Sequence, residues 1–205
     1  EEYRLTLKTS DSPLVSVLIP VYDQLDHTLR CLESIAENLP SVPFEVIIAN
    51  DCSQDSTAEV VGRIEGVRLV SNDRNLKFLK NCNHAVEYCR GDFICLLNND
   101  TSVKPGWLDM MIEVFDSRTD AGLVGSKLVY ADGRLQEAGG IVWDDGSAWN
   151  YGRLKDPTLP EYNYVREADY VSGASIMIRR EIFGDLGPFD TRFEPAYYED
   201  TDLAF

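Results

Sequence analysis

Four runs of apolar, largely β-branched residues recur along the first half of the chain: 15–20 (VSVLIP), 44–49 (FEVIIA), 67–70 (VRLV) and 93–97 (FICLL). Each is the length of a strand, and near-continuous apolarity is what strands covered on both faces require. A helix-length segment separates each run from the next. Strand alternating with helix specifies an α/β fold: a mostly parallel, right-handed, doubly wound sheet flanked by helices. The spacing of Leu25, Leu29, Leu32, Ile35 and Leu39 predicts an amphipathic crossover helix over 25–39. Ser56-Thr57-Ala58-Glu59 has the form of a capping box opening a second helix, and Ala85, Val86, Tyr88 and Cys89 give a third a short apolar face.

Beyond Asp100 the pattern changes. Pro105 can open a helix running through Phe115, with Trp107, Leu108, Met111, Ile112 and Phe115 on one face. Residues 125–130, the Asp132-Gly133 turn and the Gly139-Gly140 and Asp145-Gly146 pairs then predict a smaller mixed β region in the C-terminal half. The stretch 143–164, rich in aromatics, Pro and Gly, reads as an ordered loop over a site. A strand over 170–178 follows, then a helix over 180–186 closed by Gly187-Pro188.

At 205 residues the chain fits one domain. With 35 acidic against 19 basic residues, its net charge of -16 disfavours nucleic acid and anionic lipid as partners. No apolar run approaches the ~20 residues that cross a bilayer. The five cysteines include no C-x-x-C pair and read as buried thiols of a cytoplasmic protein. The chain begins at Glu1 and stops in what looks like mid-helix, as a piece of a longer polypeptide with further domains would.

Ligands of an open parallel sheet bind beyond the carboxyl ends of its strands. Here the second run ends in Asn50-Asp51-Cys52-Ser53 and the fourth in Asn98-Asn99-Asp100-Thr101. Asp51 can accept hydrogen bonds from a base N–H or a ribose hydroxyl, or it can cap a helix or fill a turn. Asp100 can ligate a hard cation, or the Asn98-Asn99-Asp100 run can be an Asx turn. The first run is followed by Val21-Tyr22-Asp23-Gln24, which is neither the glycine-rich loop of a dinucleotide oxidoreductase nor a P-loop. A diphosphate bound without such a loop, in so acidic a chain, calls for a divalent cation at Asp100. A third cluster, Glu194 and Tyr197 to Asp202, packs carboxylates closely enough to raise one of their pKa values for general-base work, or else forms an acidic helix start.

The succession VSVLIPVY, NDCSQDST, NLKFLKNCNHA, GDFICLLNNDTSVKPGWLD, VSGASIMIRR, GPFD and YYEDTDLAF resembles inverting glycosyltransferase family 2, with its GT-A fold, over residues 15–205. Within it, LLNNDT followed by PGWL is most similar to the bacterial surface-polysaccharide and rhamnosyltransferase-like branch. The resemblance implies an N-terminal extension (1–13), a nucleotide-binding half (14–100) and an acceptor and catalytic half (101–205). It places Pro20, Tyr22, Asp51 and Ser53 at the nucleoside. Asn98 and Asn99 fall at the donor's diphosphate end, with Asp100 as ligand to Mg2+ or Mn2+. Asp200 is the implied catalytic base, with Glu199 beside it, and Gly173-Ala174 lies near the acceptor. Asn98 replaces the first Asp of the D-x-D motif, and Lys77 replaces a Gly usual in the loop after the third strand; its side chain can touch the diphosphate or, as is expected here, point to solvent. The implied partners are a UDP-, dTDP- or GDP-sugar donor and a saccharide or lipid-linked saccharide acceptor, handled in the cytoplasm or at the inner face of the membrane.

Other readings remain at this stage. A nucleotidyltransferase shares sheet and nucleotide but needs a glycine- and lysine-rich loop after the first strand. A non-catalytic nucleotide- or carbohydrate-binding domain is supported by the missing carboxylate at Asn98. Trp143, Trp149 and Tyr151 fit either sugar stacking or packing, and His27 and His84 read as helix-surface or capping residues.

Overall fold

The computed structural model describes residues 5–186 and 189–205, and in it the four apolar runs are parallel strands. They are β1 (Val15–Val21), β2 (Phe44–Asn50), β3 (Val67–Ser71) and β4 (Phe93–Leu97), separated by α1 (Leu25–Glu37), α2 (Thr57–Val61) and α3 (Lys77–Val86). After α4 (Trp107–Ser117) come five short strands, β5 (Leu123–Gly125), β6 (Leu128–Val129), β7 (Leu135–Glu137), β8 (Gly140–Val142) and β9 (Ala148–Asn150). Then follow β10 (Ser175–Arg179), α5 (Arg180–Leu186) and α6 (Glu199–Ala204). The main sheet has the order β3-β2-β1-β4-β10-β5, with β10 antiparallel to both its neighbours. β6 with β7 and β8 with β9 form two small hairpins, the mixed β region.

Alternation divides the core between the two faces of the sheet. Val15, Val17, Ile19 and Val21 pack with α1, α2 and α4, whereas Leu18, Ile47, Ile94 and Leu96 pack with α3 and α5. α4 buries Leu108, Met111, Ile112 and Phe115, with Trp107 partly covered, as its spacing predicts.

Several local expectations need correction. α1 ends at Glu37, so Leu39 lies beyond it and is exposed, and the buried stripe centres on Cys31, Leu32 and Ile35. Ser56 makes no side-chain cap; Asp55 accepts the Thr57 N–H instead (2.9 Å), and so the capping box is not formed. α3 is built ahead of the expected apolar residues, burying Leu79, Cys82 and Ala85, and stops before Tyr88. β10 is shorter than the 170–178 run and extends to Arg179, because Ser172, Gly173 and Ala174 make a loop while Tyr170 forms an isolated bridge to Gly140. The expected helix closure at Gly187-Pro188 lies outside the described residues. All five cysteines are free, and four are buried.

The N-terminal segment is tied to the sheet. Leu7 is buried in the core and donates its N–H to Glu65 (2.9 Å). Gly66 is at φ +84°, and a Cβ there would sit 1.9 Å from the Leu7 carbonyl oxygen, so only glycine fits.

At the amino ends of the strands, β2 carries a buried carboxylate. Glu45, 1% exposed, accepts the Ser16 hydroxyl (2.6 Å) and the Arg90 N–H (2.8 Å) on one oxygen, and the guanidinium groups of Arg68 (2.6 Å) and Arg90 (2.9 Å) on the other. Burial pushes this carboxyl up, but the four donors outweigh burial and hold it below its ordinary value. Glu45→Ala strips the buried Ser16 hydroxyl and the Arg90 N–H of their carboxylate acceptor while the two guanidiniums stay partly exposed, so it should cost about 1–3 kcal/mol in urea unfolding. Because the folded-state pKa is the lower one, this stabilisation is complete above the unfolded-state value and is lost as pH falls through the folded-state value. Wild type should therefore lose stability on acidification that the variant has already lost; parallel pH dependences would contradict this.

Candidate active site

The carboxyl ends of β2, β1 and β4 lie side by side, and with strands about 4.8 Å apart the ends of β2 and β4 are about 10 Å from one another. Because β10 is antiparallel, it enters the sheet at this same edge, bringing the 172–174 loop beside the end of β4.

Asp51 follows β2 and is buried. Its Oδ1 accepts the Leu76 N–H (2.7 Å) and the Asn72 amide (2.9 Å), and its Oδ2 accepts the Lys77 N–H (2.9 Å). Asp51 thus caps α3 from across the sheet edge. Its capping alternative is realised on α3, and a lone pair is left on Oδ2 for a ligand donor. This grip holds Lys77 at φ +69°, the conformation glycine adopts freely, which accounts for the loop's preference for Gly; the Lys77 side chain is exposed, as expected. Pro20 is buried in β1, two residues past the last β1–β4 pair, at Leu18. Tyr22 is half-exposed on the rim, and Ser53 Oγ accepts the Asp23 N–H (2.8 Å), joining the loops after β1 and β2.

At the end of β4 the Asn98 N–H donates to the Ala174 carbonyl (3.0 Å), and its own carbonyl accepts the Thr101 hydroxyl (2.7 Å). The Asn99 amide donates to Thr28 Oγ1 on α1 (3.1 Å), which turns it inward, while Asp100 is exposed. Among the described residues, no group of three or more His, Cys, Asp or Glu side chains could hold a metal ion. Asp100 offers this edge one exposed carboxylate, which suits a cation of the Mg2+ type that keeps waters and shares one or two carboxylates with phosphate oxygens.

The third cluster opens α6. Asp200 Oδ2 accepts the Gly173 N–H (3.0 Å) and Oδ1 the Thr201 N–H (2.8 Å). Asn98 and Asp200 are thereby joined through Gly173 and Ala174. Glu199 is buried, and its Oε2 has no hydrogen-bond partner among the described residues. Burial, with Asp200 adding, raises its carboxyl above the ordinary range.

Two further residues belong to this edge and carry no motif. Glu137, at the end of β7, is 1% exposed and accepts the Ser172 N–H (2.9 Å). Burial first, and then the charge of Asp200, pushes it up to about 6. The one available signal was alternation, since Leu135 faces inward and Glu137, two residues on, must do so too. Asn72 links Asp51 to His84 Nδ1 (2.7 Å). His84 is thus a bonded, half-buried helix residue, and His27 is exposed on α1.

Trp143 and Trp149 are 53% and 66% exposed, so neither is core. Tyr151 is packed: the Arg166 guanidinium lies 4.0 Å over its ring and Tyr162 meets it edge-on. The 143–164 stretch is in part regular, holding β9 and a 3-10 turn at Pro160–Tyr162.

Comparison with known proteins bears on the fold and the family. O-antigen biosynthesis protein RfbC of Myxococcus xanthus is 29% identical over 94% of this chain, which spans 16% of that protein. The mannosyltransferase PcManGT of Pyrobaculum calidifontis, solved with GDP-Man and Mn2+, superposes with a TM-score of 0.64 at 19% identity, covering 98% of this chain and 51% of the other. TarS 1–349 of S. aureus, solved with UDP-GlcNAc, gives 0.67 at 18% identity, covering 93% and 52%. These likenesses show the GT-A fold, and this chain spans about half or less of each relative. The model of glycosyl transferase family 2 matches residues 16–187, and the chain belongs to that family.

Proposed function

We propose that this chain transfers a sugar from a nucleoside-diphosphate donor to an acceptor hydroxyl with inversion at the anomeric carbon, in the building of a bacterial surface polysaccharide such as an O-antigen. The observation that carries the reading is the link from Asn98 through Ala174 and Gly173 to Asp200, which sets a polar strand end beside a carboxylate in one crevice. Pro20, Tyr22, Asp51 and Ser53 hold the nucleoside, with Tyr22 offering an exposed ring at the rim. Asn98 and Asn99 line the diphosphate end.

Asp100, together with the donor's phosphates, would hold Mg2+ or Mn2+, whose charge offsets that developing on the leaving diphosphate. Mn2+ beside GDP-Man in the mannosyltransferase complex supports this assignment. Asp200 Oδ2 accepts the Gly173 N–H alone and keeps a free lone pair, while Oδ1 accepts both the N–H and the hydroxyl of Thr201. Asp200 takes the proton of the acceptor hydroxyl as that oxygen bonds to the anomeric carbon. The bond from that carbon to the phosphate oxygen breaks, and the nucleoside diphosphate departs on the opposite face. Glu199, beside the base with an unpartnered oxygen, is placed to receive a sugar hydroxyl. A single displacement gives one inversion.

The acceptor in this reading is a saccharide, free or lipid-linked. The reaction is cytoplasmic, free or at the inner membrane face, and no helix among the described residues is long and apolar enough to cross a membrane. A second reading, a nucleotide- or carbohydrate-binding domain without catalysis, draws on the single exposed carboxylate at Asp100.

Asp200→Asn should lower transfer by 10²–10⁴, about 3–5 kcal/mol of transition-state stabilisation, and leave donor binding intact in calorimetry; normal turnover of that variant would overturn the base assignment. In titrations with UDP, dTDP and GDP, one nucleotide should bind more tightly with Mn2+ than without, and Asp100→Ala should remove that gain. Metal-independent binding with no turnover would favour the non-catalytic reading.

A further inference from the structure

The two carboxyl groups that meet the 172–174 loop divide two consecutive amides between them: the Ser172 N–H goes to Glu137 Oε1 (2.9 Å) and the Gly173 N–H to Asp200 Oδ2 (3.0 Å). The loop is otherwise self-satisfied, because the Ala174 N–H turns back to Ser172 Oγ (3.2 Å) and the Ala174 carbonyl accepts from Asn98. Two successive peptides, on either side of Ser172, therefore link an inward-facing carboxyl on β7 to the carboxylate that opens α6. Glu137 forms no ion pair among the described residues, so no arginine or lysine there neutralises it. A buried carboxyl with one amide donor and another carboxylate as neighbour is not explained as a stabilising feature. An amide side chain would satisfy Ser172 equally well without the cost of burying a charge.

Resting on the assignment of Asp200 as base, we propose that Glu137 is a positioning residue for it: by accepting the Ser172 N–H it fixes the residue from which the next amide, the Gly173 N–H, holds the Asp200 carboxylate. The ionised carboxylate is the stronger acceptor for the Ser172 N–H, so this hold on the loop tightens when Glu137 loses its proton.

The ionisable groups facing the pair are few. From the segment before β10 comes the Tyr170 phenol, which burial, then Glu137 and Asp200, push up to about 12; it stays neutral throughout the acid range. From α6 comes Glu199, also raised by burial. Glu199 is the group whose titration must be separated from that of Glu137.

The test is the pH dependence of kcat and of kcat/KM for transfer, with donor and acceptor varied separately. Wild type should show rates rising with pH through about 6. Glu137→Gln keeps an oxygen for the Ser172 N–H but cannot ionise. Its acid limb near 6 should disappear, its plateau kcat should fall about three- to tenfold, and donor KM should hardly change. Glu137→Asp should restore a limb near the wild-type one. A wild-type limb already near pH 4 would overturn the proposal, and so would an unchanged profile in Glu137→Gln. Disappearance of the limb in Glu199→Gln but not in Glu137→Gln would overturn it too, and the wild-type profile decides the matter if Glu137→Gln does not fold. Full activity of Asp200→Asn would instead remove the base assignment itself, an outcome separate from all of these.

Discussion

The direction of one strand determines where chemistry can occur in this fold. Four parallel strands deliver their following loops to a single edge, which alone would give a nucleotide crevice open on one side. β10 is inserted next to β4 in the opposite sense, so the residues before it arrive where β4 departs. Reversing that pairing would carry the 172–174 loop to the far end of the sheet. The backbone bond from Asn98 to Ala174 and the bond from Gly173 to Asp200 both follow from this placement.

The edge so assembled is held in conformations that residues with side chains adopt reluctantly. Asp23, Gln24, Cys52, Lys77, Tyr197 and Tyr198 all have positive φ, and they lie in the loops after β1, β2 and β3 and just before α6. Single residues in this region cost on the order of 1–2 kcal/mol each and persist where surroundings over-determine them. Asp51 does this for Lys77, through a carboxylate with three donors. The opposite end of the sheet shows no such tension. There Ser16, Glu45, Arg68 and Arg90 saturate one another, so cohesion sits at one end and strain at the other.

Much of the fold was legible in the residues because parallel strands buried on both faces must be apolar without interruption, and β1, β2, β3 and β4 are. β10 was overestimated because Tyr170 and Val171 are as apolar as a strand, while Tyr170 bridges to Gly140 of β8, outside the main ladder. α3 was misplaced because its buried face mixes Leu79, Asn81, Cys82 and Ala85, and an inward Asn breaks a hydrophobic count. At the site, the residues at strand ends could be found from position alone. The capping of α3 by Asp51 could not, since it joins groups 25 and 26 residues apart through the shape of two loops. Glu137 escaped notice because a three-residue strand offers too few alternations to declare its inward face.

Arg68 belongs to β3, whose outer side has no sheet partner among the described residues, while the other flank ends in β5, only three residues long. Unpaired strand edges are templates for pairing with another chain, and short strands and charged side chains are the usual deterrents. The guanidinium that ties off Glu45 at the foot of the sheet therefore also stands on its open flank. Anchored by its ion pair, it puts a fixed charge on an edge strand, one of the features that disfavour strand pairing with a second molecule.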